Sequence, residues 1–223
     1  MLPTSVPAVL VLCAVELGLF GIAFLLATAL ARFRAPELLL TTPFRWWAWP
    51  RAIAWSIALR IGVAILLICA FAALQLARGQ PFDALDPAIA RPKVEAIVNT
   101  DALRDPLYLV LMLTVVSFIL AGLREELWRV GMIALLARLA PSCFGGRLGP
   151  WLALVPVAIL FGLGHTPQGW AGVAATTVLG LGLGAIMLLH RSLWDAVLAH
   201  GFFNATTFAL LPWIAHLIPQ ARG

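Results

Sequence analysis

Arg124-Glu125-Glu126-Leu127-Trp128-Arg129 puts four charges into six residues, inside a stretch from Leu107 to Ala140 that is otherwise apolar and helical in pattern. At the centre of a membrane helix each such charge costs on the order of 2.5–3.5 kcal/mol even on lenient insertion scales. It therefore faces a protein interior or a wet cavity, and it marks function by default. The surroundings are those of a membrane protein: of 223 residues, 62% are hydrophobic and 11% charged, and the mean hydropathy is +0.99. The expected fold class is all-α, a polytopic transmembrane helical bundle of about seven (six to eight) membrane helices. No hydrophilic stretch is long enough for a second domain, so residues 1–223 are expected to form one integral membrane domain.

Read outward from the charged run, the helical pattern of Leu107–Ala140 is too long for one straight crossing. Its 34 residues would span about 51 Å at ~1.5 Å per residue, against a hydrocarbon core of about 30 Å. A tilt, a bend at Gly122 or Gly131, or an end outside the membrane is expected. On the N-terminal side two further spans are expected, about Val6–Ala31 and about Ile53–Ala77. The first is read as an anchor and not a cleaved signal, because no basic residue precedes it and its apolar run exceeds a typical signal core. Glu16 within it is expected to face another helix or to pair with Arg60. Between these spans, Arg32 to Arg51 carries Trp46, Trp47 and Trp49, which read as interface anchors. The connection Arg78–Pro106 is expected to lie on the membrane surface, with a short helix over Lys93–Leu103 and some scope for gating.

On the C-terminal side the expected spans are Trp151 to about His165, Trp170–His190 and Leu193 to about Leu211, ended by Pro212. Gly180-x-Gly182-x-Gly184 lacks the preceding strand of a nucleotide-binding turn and reads as close helix packing. Ser192-Leu-Trp-Asp195 reads as a capping box that starts the last helix. His190 and His216 lie at span ends and read as interfacial. Cys13, Cys69 and Cys143 show neither a disulfide framework nor thiolate metal spacing. Four arginines and one acid in residues 32–51 place that loop on the cytoplasmic side, with Arg138, Arg147 and Arg191 beside it. The net charge of +5 is spread over membrane flanks, which argues against nucleic acid as a partner. The expected partners are the lipid bilayer and a membrane-associated peptide or protein substrate; oligomeric state is open. The expected location is the cytoplasmic (inner) membrane of a bacterium.

Two later helices carry residues able to join Glu125 and Glu126. One ends in Phe161-Gly-Leu-Gly-His165, the other holds His200-Gly-Phe-Phe-Asn204. His200 and Asn204, four apart, share a helix face, and so do Glu125 and Arg129. Glu126 points about 100° away from Glu125, so the two carboxylates have different tasks. Arg129, three residues on, can hold one of them. A glutamate placed between low dielectric and a cation can serve as a general base near neutral pH. A histidine beside it can orient a water, and a second histidine with an amide can receive a developing oxyanion. Trp128 and Phe161 are expected to shape the site. No cofactor is required, but Glu125, His165 and His200 could also bind Zn²⁺ as a His₂Glu set, and the sequence does not exclude it. Five polar residues that merely cross-link helices are the plain alternative. A non-catalytic immunity or scaffold protein and a proton-coupled transporter are the rival functions.

These residues resemble the CPBP intramembrane protease family, also called the Abi family, which includes the Rce1-type CAAX prenyl endopeptidases and bacteriocin-processing or immunity proteins. The family's three motifs stand here as Glu125-Glu126 with Arg129, Phe161 to His165, and His200 to Asn204. The resemblance covers about Leu107–Leu211, so residues 107–211 are expected to be the catalytic core and residues 1–106 two helices and a surface loop. It implies a metal-independent glutamate endopeptidase, with Glu125 as general base, His165 as its partner on the water, Glu126 in support, and His200 with Asn204 as oxyanion site. In one place the sequence departs. Where the family has its arginine this chain has Val130, and Arg129 comes one residue early, a rotation of about 100°.

Overall fold

The structure, a computed structural model, describes residues 2–79 and 91–214. His216 and the chain beyond Ile214 lie outside the described residues, as does most of the first half of the Arg78–Pro106 connection. Six principal helices follow one another: α1 (Val6–Ala31), α2 (Ala48–Ala77), α3 (Pro106–Leu139), α4 (Gly149–Leu163), α5 (Gly169–His190) and α6 (Leu193–Ile214). No strand occurs among the described residues. Among the described residues, four stretches are long and apolar enough to cross a bilayer: α1, α2, α3, and α5 with the turn before it; α4 is a shorter apolar helix. The chain is an integral membrane protein. Its outer surface agrees, since Leu19, Leu25 and Leu30 on α1 and Ile57, Ile61 and Ile68 on α2 are all exposed, as lipid-facing residues should be.

Helix boundaries follow local chemistry. Asp105 caps α3, its carboxylate accepting from the Leu107 and Tyr108 amides at 2.8 and 3.0 Å, with Pro106 at the first helical position. Of the expected capping box only one half forms: Ser192 Oγ accepts from the Asp195 amide at 3.4 Å, while the Asp195 carboxylate accepts from Arg51 Nε at 2.5 Å and the Ser192 amide donates to the Met187 carbonyl at 3.2 Å. Two boundaries differ from expectation. Helix α2 begins at Ala48 instead of Ile53 and takes Pro50 into its first turn, where amides have no intrahelical acceptor to lose. Helix α6 runs through Pro212 to Ile214, since a missing amide this close to the end removes only one ladder bond.

The middle of the chain holds the largest departure. Helix α3 is continuous, but from Met112 to Leu123 it is a π-helix, and it returns to α-winding at Arg124. Ser117 Oγ donates to the carbonyl of Met112, five residues back, at 2.6 Å. The irregularity seen in this helix lies in its hydrogen-bond pattern. Gly122, near its end, has a different task. A Cβ there would lie 2.8 Å from the carbonyl oxygen of Val197 on α6, so the missing side chain lets α3 and α6 approach. Gly122→Ala is expected to push them apart and lower stability by about 1–3 kcal/mol. An unchanged unfolding midpoint in detergent would contradict this close approach.

Small residues on α5 work the same way. A Cβ at Gly184 would collide with Leu154 of α4, one at Gly182 with Leu59 of α2, and one at Gly180 with Arg129 and Phe161. This glycine series is therefore the packing device expected from its spacing.

The two ends of the bundle are distinct. At one, Arg138 forks onto Glu37 at 2.7–3.2 Å and donates to the Arg32 carbonyl at 3.0 Å, while Thr42 donates to the Arg191 carbonyl at 2.7 Å. The 32–51 loop thus shares its end with Arg138 and Arg191, as expected. His190 at that end accepts from Trp55 Nε1 at 3.1 Å. At the other end, residues 91–105 do not form the expected helix over Lys93–Leu103. They make two short 3₁₀ turns, Val94–Ala96 and Ala102–Arg104. Asn99 explains the break: its side-chain oxygen accepts from the Asp101 and Ala102 amides at 2.9 and 3.0 Å, a local turn that competes with helix. The segment is tied down by the Lys93 amide on the Gln168 carbonyl (3.0 Å) and the Leu2 amide on the Ile97 carbonyl (2.6 Å), and it buries Val98 and Leu103.

Candidate functional site

Regular α-winding resumes at Arg124, so residues three apart beyond it share a face. Glu126 and Arg129 use this, and both are 0% exposed. Arg129 Nε donates to Glu126 Oε2 at 2.9 Å and Nη2 donates to Oε1 at 3.1 Å, the two-pronged geometry that suits a guanidinium to a carboxylate. The guanidinium carbon also lies 4.3 Å from the centre of the Phe161 ring, a cation–π contact. Gly180 leaves room for it, since a Cβ there would come within 3.0 Å of Arg129 Nη1. Arriving one residue early, Arg129 thus serves Glu126 and not Glu125.

His200 completes this buried group. Its Nδ1 lies 2.9 Å from Glu126 Oε1. A carboxylate held by a guanidinium only accepts, so Nδ1 carries a proton and donates. The other ring nitrogen, Nε2, faces Glu125 Oε2 at 3.7 Å. That is beyond a hydrogen bond, yet close enough for both atoms to address one water.

Glu125 faces away from the buried pair, as the 100° step between neighbouring residues requires. Its side chain remains 19% exposed, and it lines a cavity of about 900 Å³ together with Trp128, Phe161, His165, His200 and Asn204. Arg124 Nη2 donates to Glu125 Oε1 at 3.1 Å, and Arg124 Nη1 donates to Glu16 on α1. The expected Glu16–Arg60 pair is therefore replaced by Glu16–Arg124. Arg60 instead donates to the Phe203 carbonyl at 2.8 Å and to Thr207 Oγ1 at 3.2 Å.

His165 sits just past the end of α4, its Nδ1 2.9 Å from the Phe161 carbonyl. A carbonyl can only accept, so Nδ1 donates, and a neutral ring keeps Nε2 as an acceptor. The Phe161 ring lies 4.8 Å from the His165 ring and 6.2 Å from that of His200, so it spaces the two imidazoles while covering Arg129. Trp128 packs beside it, centroids 6.3 Å apart. Asn204, one turn beyond His200, lines the same cavity.

The fold therefore brings Glu125, His165, His200 and Asn204 to one cavity and places Glu126 and Arg129 in the wall behind it. Among the described residues, no group of three or more His, Cys, Asp or Glu side chains is gathered to hold a metal ion. Glu125, His165 and His200 face one space without forming such a group. Sequence reasoning did not single out Arg124; of its two readings for Glu16, the contact with another helix holds and the Arg60 pair does not. The signal was present, because an acid inside a membrane helix needs a cation. Arg60 and Arg124 both qualified, and spacing cannot rank partners on different helices. The cavity lining was also only partly legible: Leu2, Pro92, Val94 and Ala96 to Val98 contribute to it.

Residues 106–206 match the family described as Type II CAAX prenyl endopeptidase Rce1-like. The match coincides with the three motifs and bears out the resemblance read from them. That family is, by its description, one of prenyl endopeptidases, and the match spans 101 of the 223 residues. No curated protein and no solved structure shows a significant match to the chain.

Proposed function

We propose, from an Rce1-like segment whose motif residues converge on one cavity, that the protein is an intramembrane endopeptidase using a glutamate-activated water. The observation that carries this reading is the pair of Glu125 Oε2 and His200 Nε2, 3.7 Å apart at the wall of the cavity that His165 and Asn204 also line. Glu125 takes a proton from a water as its oxygen attacks the scissile carbonyl carbon. His165 Nε2, an acceptor in the neutral ring, helps to align that water. The carbonyl oxygen gains the negative charge and is received by Asn204 and His200. His200 donates there from Nε2 when both ring nitrogens carry protons, because Nδ1 already donates to Glu126. The intermediate collapses as the C–N bond breaks, and Glu125 returns its proton to the leaving amine.

The substrate in this reading is a membrane-associated peptide or protein, of the prenylated CAAX type or a leader peptide, and the site of action is a bacterial cytoplasmic membrane. Arg129, one residue out of register with the family's arginine, still grips Glu126, which supports this reading.

The test is hydrolysis in detergent of membrane-anchored and prenylated peptides, by wild type and Glu125→Gln, with and without a strong chelator. Cleavage that survives chelation and vanishes in the variant supports the proposal. Cleavage lost on chelation and restored by Zn²⁺ would replace it with a metal-centred mechanism. A smaller effect tests the support of the base. Arg124→Gln leaves Glu125 untethered, and about a tenfold fall in kcat is expected with KM little changed, because misplacement of a reacting group costs rate. Arg124→Lys should recover part of it, and full activity in Arg124→Gln would show that Glu125 needs no such tether.

A further inference from the structure

Arg60 is a cation on the wall of the candidate active-site cavity whose acceptors are both neutral. It donates to a backbone carbonyl and to a hydroxyl, and its guanidinium carbon lies 4.4 Å from the centre of the Phe203 ring. No carboxylate among the described residues pairs with it; Glu16, the acid expected to do so, is taken by Arg124. Two of the five guanidinium N–H groups are used, which leaves three. Around it the cavity wall is apolar, with Val63, Ala64, Leu67 and Phe208. A half-buried cation in such a wall is poorly compensated, and its planar fork is suited to a carboxylate. Its position ties it to the chemistry. The carbonyl it holds belongs to Phe203, next to Asn204, and Thr207 lies one turn further on.

We propose that Arg60 binds the free C-terminal carboxylate of the peptide substrate, so that the enzyme measures its cleavage site from the substrate's C-terminal end. This rests on the endopeptidase reading above and deepens it by naming the group recognised. Arg60 lies on α2, outside the segment that matches the family. It is a specificity residue belonging to the N-terminal part of this chain.

The experiment uses the full chain in detergent and three matched membrane-anchored peptides: one with a free C-terminal acid, one ending in a carboxamide, and one ending in an aspartate carboxamide. Wild type is expected to prefer the free acid over the carboxamide by about 10- to 100-fold in kcat/KM, the range of a hydrogen-bonded charge. In Arg60→Gln the preference falls to about twofold or less, the acid losing far more of its rate than the carboxamide. Arg60→Lys keeps part of it. A purely structural clamp on the Phe203–Thr207 turn would lower all peptides together, and that result overturns the proposal. So does an aspartate carboxamide as good as the free acid, which would assign the site to a side-chain carboxylate. Binding to the Glu125→Gln protein, followed by fluorescence anisotropy, separates the two readings. A preference for the acid there, lost on adding Arg60→Gln, with no cleavage by wild type would sink the endopeptidase reading and keep the subsite. Equal binding of acid and carboxamide overturns the subsite whatever the cleavage result.

Discussion

Glu125→Gln is expected to reduce peptide hydrolysis by about 10²–10⁴-fold, the usual worth of a positioned general base, with the unfolding midpoint nearly unchanged. Glutamine keeps the shape and can still accept from Arg124. What it lacks is the ability to take a proton from water. The stability side follows from exposure: the Glu125 side chain is partly open to the cavity, so neutralising it leaves no buried cation stranded, and Arg124 still has Glu16. Residual cleavage close to wild type, with correct folding, would show that Glu125 is not the base.

Glu126→Gln is expected to fail for a different reason. Its carboxylate is the counter-charge of Arg129 and the acceptor for His200 Nδ1, all three side chains being at most 3% exposed. Removing one partner of a buried pair costs about 3–5 kcal/mol, because the other charge is left uncompensated. Loss of folded protein in detergent is the expected reading, measured as a large fall in unfolding midpoint or in yield. The double variant Glu126→Leu with Arg129→Met should recover much of that stability, as replacement of a whole buried pair by apolar groups often does. It should not recover hydrolysis, since His200 has lost the acceptor that fixes its ring. A stable, active Glu126→Gln would show that the ion pair is dispensable to both.

Much of the site was legible because intramembrane polar residues are few and costly. Glu125, Glu126, His165, His200 and Asn204 stand out from apolar helices, and the fold unites them around one cavity. Helix existence was legible for the same reason, through long apolar runs. Partner choice across helices was not. Glu16 had two arginines available in sequence, and only the packing of α1 against α3 settles which one it meets. Residues 93–103 misled because a helical pattern does not reveal the Asn99 side chain competing for the amides that a helix would need. The winding of α3 was also hidden. Apolar periodicity marks a helix, but it does not distinguish α from π over a few turns when nearly every residue is apolar.

That winding sets an angular phase. In the π segment each amide reaches back five residues instead of four, so a given number of residues completes fewer turns. The direction in which every later side chain of α3 points depends on how many residues remain so wound. Met112–Leu123 contains none of the site residues, yet it determines the azimuth at which Arg124 enters regular helix and hence whether Glu126 meets His200. A one-residue deletion there changes no catalytic group, but it can turn the whole charged run about the helix axis. The segment is the vernier of the site, and length changes within it should be tolerated far less well than changes of apolar side chain.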